Sequence, residues 1–239
     1  SFKFPPSFLR TEYFYDTDDI EWHQADKRAI WFDYNNDGLL DLLVDNSGYP
    51  PHTRLILFKQ HPDHSFENVS KEMGLDIVNP LSSVIADINR DGKWDIITTQ
   101  SNLRDARIPK RIYIFENNLD LQSSTPIKFY LRGQKANFHG LNATVIVKVN
   151  TPKGFEIRRQ IVSYSYGGLP PQNEEGLLFA LKEGESIDYV KVRWPFTTSL
   201  NQNRAGLEKI YHIKKEYLKA VNITLCENGD YLVGRLSCQ

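Results

Sequence analysis

Two segments of the chain carry the same pattern of aspartate, asparagine and glycine residues. The pattern D-x-N-x-D-G-x-x-D begins at Asp33 and begins again 54 residues later, at Asp87. Side-chain oxygens at the first, third and fifth positions and a backbone carbonyl at the seventh are ligands that Ca²⁺ receives from a tight loop, and glycine at the sixth position permits the sharp turn. The two segments are therefore predicted to be two Ca²⁺ sites.

Each predicted site contains five residues, and the aspartate at the ninth position would close the shell around the ion. The first set is Asp33, Asn35, Asp37, Leu39 through its carbonyl, and Asp41. The second set is Asp87, Asn89, Asp91, Lys93 through its carbonyl, and Asp95. Asp, Asn and Gly also build polar turns without a metal, through hydrogen bonds between side chain and backbone, and this alternative stays open.

An EF-hand shares the first half of this pattern but requires a glutamate at the twelfth position. Val44 and Thr98 occupy those positions, which argues against an EF-hand. The flanks are short apolar or β-branched runs, which are typical of strands rather than helices. The predicted flanking strands are residues 28–32, 39–44, 83–86 and 94–99. The motif is therefore expected to be a strand, a calcium loop and a second strand.

The unit around the first loop is repeated around the second. Residues 54–59 and 111–116 are short apolar runs that occupy equivalent positions after the two loops. Internal similarity at a period of about 50 residues, with several short strands, is typical of β-propeller blades. The repeat resembles the FG-GAP or VCBS type of calcium-loop repeat, whose F-x-N-V-S and G-L elements occur here within residues 66–75.

The second half of the chain has longer alternating segments. Period-two alternation with Gly and Pro between segments predicts half-buried antiparallel strands in a separate β-domain. This region resembles the ASPIC/UnbV domain that follows such repeats in many bacterial secreted proteins, in residues 137–143, 176–182 and 190–195. Three glycines of that family pattern are replaced here, by Asn142, Ala180 and Lys182.

The expected fold is all-β, with partial propeller-like blades followed by a β-sandwich-like domain. We expect blades in residues 1–126, the ASPIC/UnbV-like domain in residues 127–205, and a C-terminal extension of strands in residues 206–239. Within the extension, Asn228-Gly229 is typical of a two-residue hairpin turn. That turn would place Cys226 opposite Tyr231.

The two cysteines, Cys226 and Cys238, suit a disulfide in an oxidising compartment, where calcium is also abundant. Two free thiols are the alternative, and a disulfide requires the chain to fold back after Gly234. Together with the calcium loops, the pair favours a secreted, periplasmic or cell-surface location.

Several function classes are disfavoured. The net charge of −1 gives no electrostatic basis for nucleic-acid binding, and no apolar run is long enough for a transmembrane helix. Since no nucleophile, base and orienting acid come together in the sequence, an enzyme is not expected. His139 is predicted to form hydrogen bonds rather than to act as a base, and Glu174-Glu175 is predicted to be a solvated acidic pair.

The blade count indicates a partner. Propellers usually close with four to eight blades, and the first half of this chain provides about two to three. A protein partner or self-association is therefore expected to cover the open blade edges, which makes the chain a binding, assembly or adhesion module. The alternative is a carbohydrate-binding module that holds sugar rings with exposed aromatic residues, for which Tyr164 and Tyr166 are the candidates.

Overall fold

The computed structural model describes residues 26–47, 50, 53–103, 105–121, 124–163, 172–195, 207–219 and 222–238. These residues form fifteen strands in four sheets and one short 3-10 helix at Lys215–Lys219. The all-β prediction is confirmed. No helix in this described part of the chain is long and apolar enough to span a membrane.

The first two sheets are antiparallel meanders, as expected for propeller-type blades. Each predicted loop connects two hydrogen-bonded neighbouring strands, so the prediction of strand, loop and strand is confirmed. The first blade has the strand order β1-β2-β3-β4 and the second has the order β5-β6-β7. Their strands are β1 (Asp26–Phe32), β2 (Asp41–Asn46), β3 (Leu55–Gln60), β4 (Phe66–Asn68), β5 (Pro80–Ala86), β6 (Asp95–Gln100) and β7 (Arg111–Phe115).

The two blades stack face to face over one apolar core. Leu43, Leu55 and Leu57 line one face of the first blade and pack in the same cluster as Ile85 and Ile96 of the second. The burial of alternate residues follows from the strand period of two, which places one set of side chains on each face. Burial of this apolar surface is the main force that holds the blades together.

A buried polar contact also joins the blades. Asp45 on β2 accepts a hydrogen bond from the backbone N–H of Ser83 on β5 at 2.8 Å and a second from the Ser83 hydroxyl. Burial raises the pKa of Asp45, and the hydrogen bonds from Ser83 oppose that rise. Because a buried carboxylate without partners is costly, this contact fixes the relative position of β2 and β5.

The last two sheets form a sandwich. Their facing side chains make one continuous core, in which the rings of Phe129 and Phe179 lie 5.7 Å apart. One sheet has the order β11-β8-β14-β15 and the other the order β10-β9-β12-β13. Their strands are β8 (Ser124–Arg132), β9 (Thr144–Thr151), β10 (Gly154–Ile161), β11 (Leu177–Lys182), β12 (Ser186–Arg193), β13 (Glu208–Tyr211), β14 (Asn222–Cys226) and β15 (Tyr231–Val233).

The C-terminal strands complete both sheets of the sandwich. Strand β13 pairs with β12, and β14 pairs with β8 in a parallel arrangement, so the described residues of 206–239 are integral to the core rather than an appendage. Tyr211 and Leu225 from these strands are fully buried. Strands therefore occur where we expected them in this segment.

The hairpin at the end of the chain differs from the sequence expectation in its turn. Cys226 faces Asp230 instead of Tyr231, since the Cys226 N–H donates to the Asp230 carbonyl at 2.9 Å. A three-residue loop with Gly229 at a φ of 106° replaces the expected two-residue turn. The chain folds back at Gly234, and Cys226 and Cys238 form a disulfide with their Cα atoms 5.8 Å apart.

Candidate metal loops

The first loop curls its backbone N–H groups around its own acidic side chains. Asp33 accepts hydrogen bonds from the N–H groups of Asp37 at 3.0 Å and Gly38 at 2.8 Å. Asp37 in turn accepts one from the Leu39 N–H at 2.9 Å. Positive φ angles of 55° at Asn36 and 88° at Gly38 make this tight path possible.

The second loop has the same conformation at equivalent positions. Asp87 accepts from the Gly92 N–H at 3.3 Å, and Asp91 accepts from the Lys93 N–H at 3.0 Å. Arg90 and Gly92 have positive φ angles of 63° and 81°, matching the fourth and sixth positions of the first loop. The repeated sequence therefore produces a repeated backbone.

The aspartate at the ninth position links each loop to its own blade. Asp41 accepts from the Tyr34 N–H at 3.2 Å and from the Gln60 N–H, at the end of β3, at 2.8 Å. Asp95 makes the equivalent bonds to the N–H groups of Ile88 and Asn117, both at 2.8 Å. Both carboxylates are almost completely buried. This linking role was missed in the sequence, where the repeated Asp suggested only a metal ligand.

The first loop concentrates negative charge away from water. Burial raises the pKa of Asp33 to about 7, and the nearby Asp37 carboxylate adds to that rise. Burial likewise raises the pKa of Asp41 to about 8, with Asp33 contributing in the same direction. A divalent cation among these carboxylates would favour their ionised forms.

The second loop has its carboxylates paired with ammonium groups. Lys128 on β8 places its Nζ 3.3 Å from Asp87 and 3.0 Å from Glu174, and the Lys93 Nζ lies 2.9 Å from Asp91. The side chains of Lys128 and Asp87 are only 2 % and 5 % exposed, so this ion pair is shielded from water, whereas the pair of Lys93 and Asp91 is partly exposed. The prediction that Glu174 and its neighbour form a solvated pair is wrong, because both pair with cations of β8.

The partners of the second glutamate of that pair form a separate cluster. Glu175 accepts hydrogen bonds from Arg132 at 2.5 Å and Arg235 at 2.7 Å, and lies 2.7 Å from the His139 ring nitrogen. The prediction that His139 forms hydrogen bonds is therefore confirmed. Burial acts to raise the pKa of Glu175, but the bonds from Arg132, His139 and Arg235 outweigh it and the net pKa is lowered.

The two loops lie side by side at one end of the blades. Asn36 in the first loop donates to the Gly92 carbonyl in the second at 3.5 Å. Asn117, which follows β7, donates to the Tyr34 carbonyl at 2.7 Å. Pro126, at the start of the sandwich, packs so closely on Gly92 that a Cβ there would lie 2.3 Å from it. The loops thus also form the junction between the blades and the sandwich.

The donor set of the loops suits a hard cation, because it consists of carboxylate, amide and carbonyl oxygens. Among the described residues no three Asp, Glu, His or Cys side chains converge as a metal cluster, so each loop would rely on its asparagine and a backbone carbonyl as well. Asp87 provides an independent sign of fit, since its Oδ1 is buried and has no hydrogen-bond partner in the described structure. The donor types of both loops therefore suit Ca²⁺, and the unpartnered oxygen adds a sign of fit for the second loop.

The aromatic candidates, Tyr164 and Tyr166, lie outside the described residues. The carbohydrate-binding alternative that depends on them stays a prediction.

Comparison with known proteins supports the repeat. Residues 33–98, which contain both loops and the strands between them, match the family described as an FG-GAP-like repeat. FG-GAP repeats are propeller-type units, in agreement with the two blades. No curated protein matches the chain. The chain thus contains an FG-GAP-like repeat within an all-β, propeller-type architecture.

Proposed function

We propose that the chain is a non-enzymatic protein-binding or assembly module that acts outside the cytoplasm and whose blades are stabilised by calcium. The observation that supports this proposal most directly is an uncovered apolar face on the second blade. The exposed fractions of Ile112 and Ile114 on β7 are 71 % and 65 %. Contiguous apolar surface left exposed on a sheet is typical of an interaction site.

The first blade shows how the equivalent face packs when another sheet covers it. Gln60 and Asn117 both donate to a ninth-position aspartate, so the strands β3 and β7 align and Leu57 corresponds to Ile114. By the same alignment Leu55 corresponds to Ile112. Leu55 and Leu57 are 0 % and 1 % exposed because the second blade covers them. The equivalent face of the second blade is the one that a further blade would cover.

The apolar face extends across the second blade. Val84 pairs with Ile97, and Ile97 pairs with Ile114, so the three side chains form one cross-strand row. Cross-strand rows of this type pack well against the flat face of another sheet. The proposed occupant is therefore a β-sheet of another polypeptide that presents its own apolar face.

Self-stacking through the two ends of the blade pair is disfavoured. Stacking one copy on the next would require the opposite face of the first blade to be free, and Leu42, Val44 and Ile56 on that face are buried.

Charge supports a different protein as partner. Arg54 pairs with Asp76, but its counterpart Arg111 has no ion pair within the described part of the chain, so the partner is expected to be acidic at this edge.

A site-specific photocrosslinker tests the proposal. Placed at Ile114, it is expected to crosslink in the native host to a defined strand segment of one other protein. The matched control is the same crosslinker at Ile157, an exposed isoleucine of β10 in the sandwich. Crosslinks from Ile114 only to a second copy would support self-association instead. A monomer by light scattering, with no more crosslinking at Ile114 than at Ile157, would overturn the proposal.

The location and the family of the second half are part of the proposal. The disulfide between Cys226 and Cys238 supports an oxidising compartment. An ASPIC/UnbV-type domain is supported by the turn before β9, where Gly140 and Asn142 have φ angles of 64° and 70°. Asparagine tolerates this left-handed conformation better than most residues, which explains how it replaces a glycine of the family pattern.

A further inference from the structure

The two loops differ in the cations that surround them. In the second loop, Lys128 reaches from the sandwich and places its ammonium 3.3 Å from Asp87 Oδ2. In the first loop, the corresponding cation from the sandwich is Arg158, which packs beside Gly38. The Arg158 guanidinium pairs with Glu185 at 2.8 Å and bonds to the Ala180 carbonyl. Its charge acts to lower the pKa of Asp33, but it forms its ion pairs with glutamates of the sandwich, whereas Lys128 pairs directly with Asp87.

The position of Lys128 is built into the fold. Its side chain is 2 % exposed, and its Nζ lies 4.5 Å from the centroid of the Trp94 ring, at the eighth position of the loop. Gly176 leaves room for the lysine stem, because a Cβ there would lie 2.9 Å from the Lys128 Cγ. Glu174 fixes Lys128 relative to Asp87, because its carboxylate accepts hydrogen bonds from the Asp87 backbone N–H at 2.7 Å and from the Lys128 Nζ at 3.0 Å.

We propose that the Lys128 ammonium serves as a permanent cation of the second loop. Lys128 and any Ca²⁺ bound in this loop would then share the Asp87 carboxylate. The second loop then binds Ca²⁺ more weakly than the first and keeps its shape without it. Two like charges within a few ångströms repel strongly when shielded from water, so the ammonium opposes a divalent ion on the same carboxylate. The Oδ1 of Asp87 is buried and has no hydrogen-bond partner, so it is the oxygen of Asp87 that remains as a ligand for an ion. This inference rests on the proposed calcium loops.

Calcium titration by calorimetry tests directly whether the second loop binds Ca²⁺ more weakly than the first. Asp37→Asn disables the first loop and leaves the second to be measured, and Asp91→Asn does the reverse. The protein with only its second loop is expected to bind Ca²⁺ at least tenfold more weakly than the protein with only its first. Adding Lys128→Met to Asp37→Asn is expected to strengthen binding about tenfold. Lys148→Met, which removes a lysine of the sandwich that pairs with Asp188 rather than with a loop carboxylate, is the control.

Thermal melts separate this role from a purely structural one. Lys128→Met is expected to lower the melting temperature in EDTA, where Asp87 and Glu174 are left unpaired, and to recover most of the loss in Ca²⁺. An equal loss in both conditions would overturn the inference. If Lys128→Met does not fold, Lys128→Met combined with Glu174→Gln removes the unpaired glutamate and allows the same measurement.

The outcomes distinguish this inference from the proposed function. If the unaltered protein binds no Ca²⁺, the proposed calcium loops fail. If it binds Ca²⁺ but the two loops have equal affinities, or Lys128→Met leaves the second loop unchanged, only the inference about Lys128 fails.

Discussion

At the scale of single residues, several buried or partly buried charges in the described structure have specific partners. Glu175 is the clearest case, because Arg132, His139 and Arg235 converge on it from three separate segments of the chain. A carboxylate that accepts several charge-assisted hydrogen bonds is stabilised in its ionised form. The lowered pKa of Glu175 thus makes it a source of stability that depends on pH.

Glu175→Gln is expected to destabilise the protein at neutral pH by about 1–3 kcal/mol, since charged hydrogen bonds are lost. The lowered pKa contributes stability above the ordinary value of 4.5, and this stability is lost as the pH falls through the folded-state pKa. The difference between the two proteins should therefore shrink in acid. Urea unfolding at several pH values measures it, with the exposed Glu183→Gln as control. A difference independent of pH would contradict this role.

At the scale of elements, the ninth-position aspartates join each loop to the third strand of its blade. The repeated pattern predicts metal binding for Asp41 and Asp95, and the structure shows that each carboxylate accepts hydrogen bonds from two backbone N–H groups. These bonds do not require a metal, so the aspartates stabilise the blade whether or not an ion is bound. Buried backbone N–H groups without partners are costly, which explains the placement of an acceptor there.

Asp95→Asn is expected to lower the free energy of unfolding by about 1–3 kcal/mol, because an amide has one acceptor oxygen for two N–H donors. The measurement is urea unfolding in EDTA, which removes any contribution from bound Ca²⁺. Asp188→Asn, which changes an aspartate paired with Lys148 on the sandwich, is the matched control. Equal unfolding free energies for the two variants in EDTA would contradict the role of Asp95 in linking the loop to the blade.

At the scale of the whole molecule, the two loops lie where the blades meet the sandwich. Leu178 of β11 packs into the core of the blades, and Lys128 of β8 pairs with Asp87. A cation bound in either loop would therefore stabilise the blades and their junction with the sandwich together. Ligand binding to the folded state alone stabilises that state by mass action.

Ca²⁺ at about 100 times its dissociation constant is expected to raise the melting temperature by roughly 5–10 °C relative to EDTA. Differential scanning calorimetry measures the shift, with Mg²⁺ as the control cation, for which a smaller rise is expected because Mg²⁺ demands stricter geometry. Identical melts in Ca²⁺ and EDTA would contradict calcium stabilisation of the blades.

The sequence by itself determined the local structure of the loops and most of the strands. The loop from Asp33 to Asp41 folds through hydrogen bonds between residues at most a few positions apart, so its pattern is sufficient to predict its shape. Strand periodicity similarly located both blades and the strands of the sandwich. The prediction of a two-residue turn at Asn228-Gly229 was wrong, because the same two residues are also compatible with a three-residue hairpin loop.

Only the tertiary structure decided which surfaces are covered and which charges meet. Lys128 lies 41 residues from Asp87 in the chain, and its place in an alternating strand does not reveal whether it faces water or a loop. The local sequence likewise does not reveal that β8 pairs in parallel with β14 or that Ile114 is exposed. A period of two indicates that a strand has two faces, but what lies against each face depends on the packing of whole sheets.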